Sequence, residues 1–254
     1  MAIFTGAGVA IVTPFNQADE SINYDKLDQL IDFHCNNGTD SIIVCGTTGE
    51  SATMTEEEHA ECVRFVIERT KGRVPVIAGT GSNCTKTAVE LSKDAAEHGA
   101  DGLLVVTPYY NKCTQLGLVE HFTKVAEKIS LPIILYNVPG RTGVNMLPET
   151  FATLAELDNI VAIKEASGNM EQIEECIRLT RGKADVISGD DGLTVPIMLM
   201  GGCGVISVAS NLLPRYVSTM TDCALNGDIK TAVDMQLKLL PVVQGLFLEV
   251  NPIP

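Results

Sequence analysis

Eight short, β-branched runs, nearly free of charge, constrain this chain more than any other feature. They are Val9-Ala10-Ile11-Val12, Ser41-Ile42-Ile43-Val44, Val74-Pro75-Val76-Ile77-Ala78 and Leu103-Leu104-Val105-Val106, then Ile133-Ile134-Leu135-Tyr136, Ile160-Val161-Ala162-Ile163, Asp185-Val186-Ile187-Ser188 and Val205-Ile206-Ser207-Val208. A strand with one wet face alternates apolar and polar residues; these do not, so they suit a parallel sheet covered on both faces. The segments between them carry helical spacing, as in Leu27, Leu30, Ile31 and His34, or Val63, Val66 and Ile67. Thr55 followed by Glu58 is a capping-box signature, with Glu56, Glu57 and Glu58 filling the first turn where the helix dipole favours acids. Strand and helix alternate eight times without a linker or a composition break. That pattern predicts one α/β domain over residues 1–254, a (β/α)8 TIM barrel. A doubly wound sheet would carry a glycine fingerprint after its first strand. Thr13-Pro14-Phe15 is not one, and Gly79-Thr80-Gly81-Ser82-Asn83-Cys84 lacks the third glycine.

Composition narrows the function classes. A net charge of −14 repels phosphate backbones, so nucleic acid is not an expected partner. An anionic substrate would need local donors, because the global field opposes it. The eight cysteines form no C-x-x-C pair and the four histidines no H-E-x-x-H pattern, so no zinc or redox motif is expected. Scattered cysteines in an otherwise ordinary chain read as reduced thiols in a cytoplasmic protein. The N-terminal Met1-Ala2-Ile3-Phe4-Thr5-Gly6 lacks the basic region of a signal peptide. Residues 192–214 carry no charge, yet Pro196, Gly201, Gly202 and Gly204 interrupt them; a buried helix followed by a buried strand is expected, not a membrane span.

In such a barrel the chemistry collects where the strands end. Lys164 directly follows Val161-Ala162-Ile163. Strand alternation puts Ala162, Lys164 and Ala166 on one face, with two small neighbours leaving room around the amine. If that face is the interior, desolvation favours the neutral amine that attack on a carbonyl requires. The other reading is a lysine that points outward, or pairs with Glu165. Tyr136 ends the preceding strand, as a proton shuttle or as a core aromatic. Thr47 and Thr48, between Gly46 and Gly49, make either a cradle for a small carboxylate or a plain turn. Arg141, in Pro139-Gly140-Arg141-Thr142-Gly143, is either a two-pronged carboxylate clamp or a surface ion pair.

Taken in order, these motifs resemble the dihydrodipicolinate synthase family, within the pyruvate-dependent class I aldolases that also include N-acetylneuraminate lyase. The resemblance rests on Gly46-Thr47-Thr48-Gly49-Glu50-Ser51, Val76-Ile77-Ala78-Gly79-Thr80-Gly81, Thr107-Pro108-Tyr109-Tyr110-Asn111, Tyr136 to Gly143, Ile163-Lys164-Glu165-Ala166, Ser188-Gly189-Asp190-Asp191 and Asn251-Pro252-Ile253-Pro254. It implies a lyase that joins pyruvate to L-aspartate-4-semialdehyde on the diaminopimelate route to lysine, with no metal or organic cofactor. Lys164 would carry the Schiff base and Tyr136 would relay protons. Thr47 would link Tyr136 to Tyr110, contributed by a neighbouring subunit of a homo-oligomer, a tetramer or dimer. Thr48, Gly189 and Ile206 would line the pyruvate pocket, and Arg141 would hold the aldehyde's carboxylate. Sugar-acid lyases of the superfamily typically lack that arginine; a non-catalytic keto-acid binder would be expected to lose Lys164 or Tyr136. The resemblance also points to a lysine-binding regulatory site at Ser51, Ala52, Glu56, His59, Asn83, Thr87 and Tyr109. It is degenerate here, since lysine-sensitive members typically carry histidine in place of Glu56 and glutamate in place of Thr87. Members of the family usually continue past Asn-Pro-Ile-Pro, so the usual C-terminal helical extension is expected to be largely absent.

Overall fold

The computed structural model describes residues 3–253; Met1 and Ala2 of the N-terminal stretch, and Pro254 of the Asn-Pro-Ile-Pro motif, lie outside the described residues. The chain runs β1 (Gly6–Ala10), α1 (Tyr24–Asn36), β2 (Ser41–Val44), α2 (Glu56–Thr70), β3 (Val76–Gly79), α3 (Thr85–Glu97), β4 (Gly102–Val106), α4 (Gln115–Ala126) and β5 (Ile133–Asn137). It continues through the short α5 (Pro139–Thr142) and α6 (Pro148–Leu154) to β6 (Ile160–Glu165), α7 (Met170–Thr180), β7 (Asp185–Ser188), α8 (Thr194–Leu199), β8 (Gly204–Ser207), α9 (Pro214–Leu225) and α10 (Ile229–Leu246). All eight strands pair in parallel and in sequence order, and β1 closes on β8. This is the predicted TIM barrel.

Pleat alternation sorts the apolar residues into two layers. Ala10, Ile43, Ile77, Leu104, Ile134, Ala162, Ile187 and Ile206, one from each strand, fill the interior with Phe4, Tyr136 and Val138. Val9, Ile42, Val44, Val76, Leu103, Val105, Leu135, Ile163 and Val186 face the helices. With both faces dry, the strands need no polar alternation, which is why they read as continuous apolar runs. The helices follow their local signals. Thr55 caps α2 by a reciprocal box, its hydroxyl accepting from Glu58 N at 3.2 Å while Glu58 Oε2 accepts from Thr55 N at 2.9 Å. The uncharged 192–214 stretch is α8 followed by β8, as expected.

Two expectations need correction. The first strand begins at Gly6 and ends at Ala10, earlier than its apolar run suggests. Beyond it, the Val12 N–H bonds Asn211 Oδ1 at 3.1 Å instead of a neighbouring strand. The C-terminal extension is also present in part. Helix α9 completes the eighth βα unit, and α10 lies beyond it, burying Ala232, Gln236, Leu239 and Val243 against α8 and α9. Sequence spacing shows two helices here but not that only one belongs to the barrel. Gln236 fixes α10 to the end of β7, donating from Nε2 to Asp191 O at 2.9 Å and accepting from Val195 N at 3.0 Å. No helix among the described residues is long and apolar enough to cross a membrane.

Candidate active site

The carboxyl ends of the strands enclose a cavity of about 210 Å³, and Lys164 lies in its wall with Thr47, Thr48, Tyr136, Arg141, Gly189 and Asp191. The register of β5 on β6 sets this arrangement. A register shift between Ile133 and Ile134, where Val161 of β6 is skipped, brings Tyr136 opposite Lys164 and Asn137 opposite Glu165. The first pair faces the cavity; the second faces the helices. The outward reading of Lys164 is therefore excluded: it is 5% exposed and has no ion pair among the described residues. Its Nζ sits over the Tyr136 ring, 4.2 Å from the centroid. Gly189 makes the room, since a Cβ there would come within 2.7 Å of Ala166 Cβ and 3.1 Å of Lys164 Cγ.

Burial dominates the electrostatics. Desolvation lowers the Lys164 pKa from 10.5 to about 8; the Asp191 carboxylate pulls it back up and the Arg141 cation pushes it further down. Roughly a tenth of the amine is then neutral at pH 7, about 300 times the fraction expected at the ordinary pKa. Burial raises Tyr136 to about 12, so its hydroxyl exchanges protons as a phenol and does not rest as a phenolate. That hydroxyl has no hydrogen-bond partner among the described residues and opens on the cavity.

Thr48 is buried and Thr47 exposed, on a turn stapled to the segment after β1 by the bond from Thr13 Oγ1 to Gly49 O at 2.8 Å. Arg141 sits on α5, the single turn started by Pro139, and makes no ion pair among the described residues. The surface-ion-pair reading of Arg141 thus has no partner to support it. Ile206 is packed in the barrel interior and does not reach the cavity wall.

A second, open cavity of about 860 Å³ adjoins the first, and Thr47, Val138 and Arg141 line both. Ser51, Ala52, His59, Thr87, Tyr109 and Tyr110 face this one. Tyr110 is 89% exposed, with its backbone in the left-handed region at φ 73°, and does not reach the Lys164 cavity within its own chain. Asn83 reaches Tyr109 O at 3.2 Å but does not line the cavity, and Glu56 stands exposed in the first turn of α2.

Sequence reasoning quoted Asp191 but gave it no role. It is buried, accepts from Ser207 Oγ at 2.5 Å, Val208 N at 2.9 Å and Ala209 N at 3.1 Å, and is the carboxylate acting on the Lys164 amine. Its place after the Ser188-Gly189 strand end was the available signal. Phe247, Asn251 and Pro252 were also missed: the segment after α10 turns back and closes one side of the cavity.

Residues 3–254 match the family model described as the dihydrodipicolinate synthetase family. The chain belongs to that family. A curated 4-hydroxy-tetrahydrodipicolinate synthase from Lachnoclostridium phytofermentans is 62% identical over all of this chain and 86% of its own length. The crystal structure of dihydrodipicolinate synthase from Aquifex aeolicus superposes with a TM-score of 0.96 at 50% identity, covering 99% of this chain and 85% of that one. A dihydrodipicolinate synthase from Acinetobacter baumannii, solved in complex with pyruvate, gives a TM-score of 0.96 at 44% identity, over 98% of this chain and 86% of its own. The family assignment makes the chain an enzyme of the lyase class.

Proposed function

We propose that the chain is a 4-hydroxy-tetrahydrodipicolinate synthase that condenses pyruvate with L-aspartate-4-semialdehyde through a Schiff base on Lys164. The observation that carries this reading is the buried amine, with its lowered pKa, over Tyr136 in a cavity of small-molecule size. The neutral amine adds to the keto carbon of pyruvate to give a carbinolamine. Loss of water from it needs a proton delivered to the leaving hydroxyl, and the Tyr136 phenol is the group placed to deliver it. The imine that forms makes the pyruvate methyl group acidic, and loss of a proton there yields the enamine that attacks the aldehyde. The backbone N–H and hydroxyl of Thr48, which lines the cavity with Gly189, take the pyruvate carboxylate. Arg141, which has no ion-pair partner among the described residues, takes the carboxylate of the semialdehyde. Tyr110, exposed on the second cavity beside Thr47, completes the proton relay from a second copy of the chain. The purified chain, offered pyruvate with aspartate semialdehyde and with aldehydes lacking its carboxylate, tests the reading. Turnover confined to the carboxylated aldehyde supports it; preference for a sugar aldehyde or none at all contradicts it.

The second cavity bears on regulation. Among the described residues its wall contains no carboxylate, while Lys112 and Arg141 both contribute cations. A lysine ligand would place its ammonium there without a counter-ion, a loss of about 2–5 kcal/mol where the charge is desolvated. L-Lysine is therefore expected to inhibit weakly or not at all. Initial rates with lysine titrated at fixed pyruvate check this; half-inhibition below about 1 mM, an affinity of about −4.1 kcal/mol, would refute it.

A further inference from the structure

On the outer face of β6, Glu165 is fully buried, and no cation among the described residues is within salt-bridge distance of it. The proposed chemistry does not use it. Burial pushes its pKa up, and hydrogen bonds from its neighbours pull it back. Those neighbours are the Ser167 hydroxyl and a set of N–H donors. Oε1 accepts from Ser167 N at 2.8 Å and Asn137 Nδ2 at 3.3 Å; Oε2 accepts from Asn137 Nδ2 at 3.0 Å and Gln172 Nε2 at 3.5 Å. With N–H donors on both oxygens, this surrounding suits the carboxylate.

The donors belong to separate elements. Asn137 ends β5, next to Tyr136, and Gln172 lies in the first turn of α7. Both continue to the loop that follows the α5 turn bearing Arg141. Asn137 Nδ2 donates to Asn145 Oδ1 at 2.9 Å, and Asn137 Oδ1 accepts from Met146 N at 2.9 Å. Asn145 Nδ2 donates to Gln172 Oε1 at 2.7 Å. We propose that Glu165 is a positioning residue for the reaction: its carboxylate ties the strand ends bearing Lys164 and Tyr136, and the loop behind Arg141, into one rigid unit on the back of the site. This rests on the reading of Lys164 as the nucleophile and Arg141 as the carboxylate clamp.

The network is directional, which makes it sensitive to a single atom. Met146 N fixes the orientation of Asn137. Ser167 N requires an oxygen at the Oε1 position. In Glu165→Gln the new amide nitrogen must therefore occupy the Oε2 position, facing Asn137 Nδ2 and Gln172 Nε2, two donors with no acceptor between them. Volume is unchanged and the Lys164 face is untouched.

The test follows borohydride trapping of pyruvate and steady-state kinetics of the folded wild type, Glu165→Gln and Asn145→Ala. Glu165→Gln is expected to slow trapping by about tenfold to a hundredfold, as for a misplaced reacting group, and to raise KM for the aldehyde. Its pH midpoint should stay near that of the wild type, because the device works through position. Asn145→Ala frees only the loop end; aldehyde KM should rise several-fold while pyruvate trapping keeps its rate. A purely structural role would lower the melting temperature of both variants and leave trapping rate, kcat and KM per folded molecule unchanged, which overturns the proposal. If Glu165→Gln does not fold, Asn145→Ala decides alone: a raised aldehyde KM supports the proposal and an unchanged one overturns it. A wild type that pyruvate does not label would instead defeat the Schiff-base reading itself.

Discussion

Replacing Lys164 with methionine is expected to abolish turnover and, at neutral pH, to make the protein more stable. Activity should fall on the order of 10⁴-fold or more, as when a covalent nucleophile is removed elsewhere. The gain in stability follows from the cost of burying the amine. Its folded-state pKa, about 8, lies below the unfolded value near 10.5. The folded protein thus binds the proton less tightly than the unfolded chain. The cost is present in full below about pH 8, is relieved as pH rises toward 10.5, and is gone above it. In size it is up to about 3 kcal/mol. Methionine is one atom shorter, fills most of the same space and carries no charge to desolvate. Asp191 keeps its three donors but loses the nearby cation, so the observed gain should fall short of that figure. Urea melts of both proteins at pH 7 and above pH 10.5 check the sign: the variant's advantage should shrink at the higher pH. A variant less stable than the wild type at pH 7, or one that still turns over, contradicts the account.

Arg141→Ala should cost about 2–4 kcal/mol in kcat/KM for the semialdehyde, roughly 30-fold to 1000-fold, the scale of a lost charged partner. Formation of the pyruvate adduct should survive. Its pH midpoint should move upward, because the Arg141 cation is one of the groups holding down the Lys164 pKa. The guanidinium has no ion pair to lose among the described residues, so little change in stability is expected. Measuring trapping and steady-state kinetics on the same sample separates these effects. Adduct formation and aldehyde use failing together in a folded variant would remove Arg141 from the role.

The barrel was legible because its information is local. Each strand is a run too apolar to have a wet face, and period-two alternation puts Ala162 and Lys164 on one face of β6, which the structure turns to the interior. What stayed hidden depends on contacts between distant segments. Asp191 reads as one acid of a pair until β8 supplies Ser207, Val208 and Ala209 to bind it. Glu165 reads as a salt-bridge partner for Lys164, whereas the pleat turns it to the opposite face, toward Asn137 and Gln172. The register shift that skips Val161 and sets Tyr136 opposite Lys164 leaves no mark in the apolar run Ile160-Val161-Ala162. The closing segment at Phe247 and Asn251 could not be read as part of the site either, because only the path of α10 returns it to the barrel mouth.

The central claim is that the amine of Lys164 is the group that attacks pyruvate. The direct measurement is reduction of the folded wild-type chain with borohydride in the presence of pyruvate, followed by peptide mass spectrometry. The account predicts one stable adduct, on the peptide that carries Lys164, at a rate that rises with pH and levels off above about 8. An adduct on another lysine, or a folded protein that remains unlabelled, would contradict it.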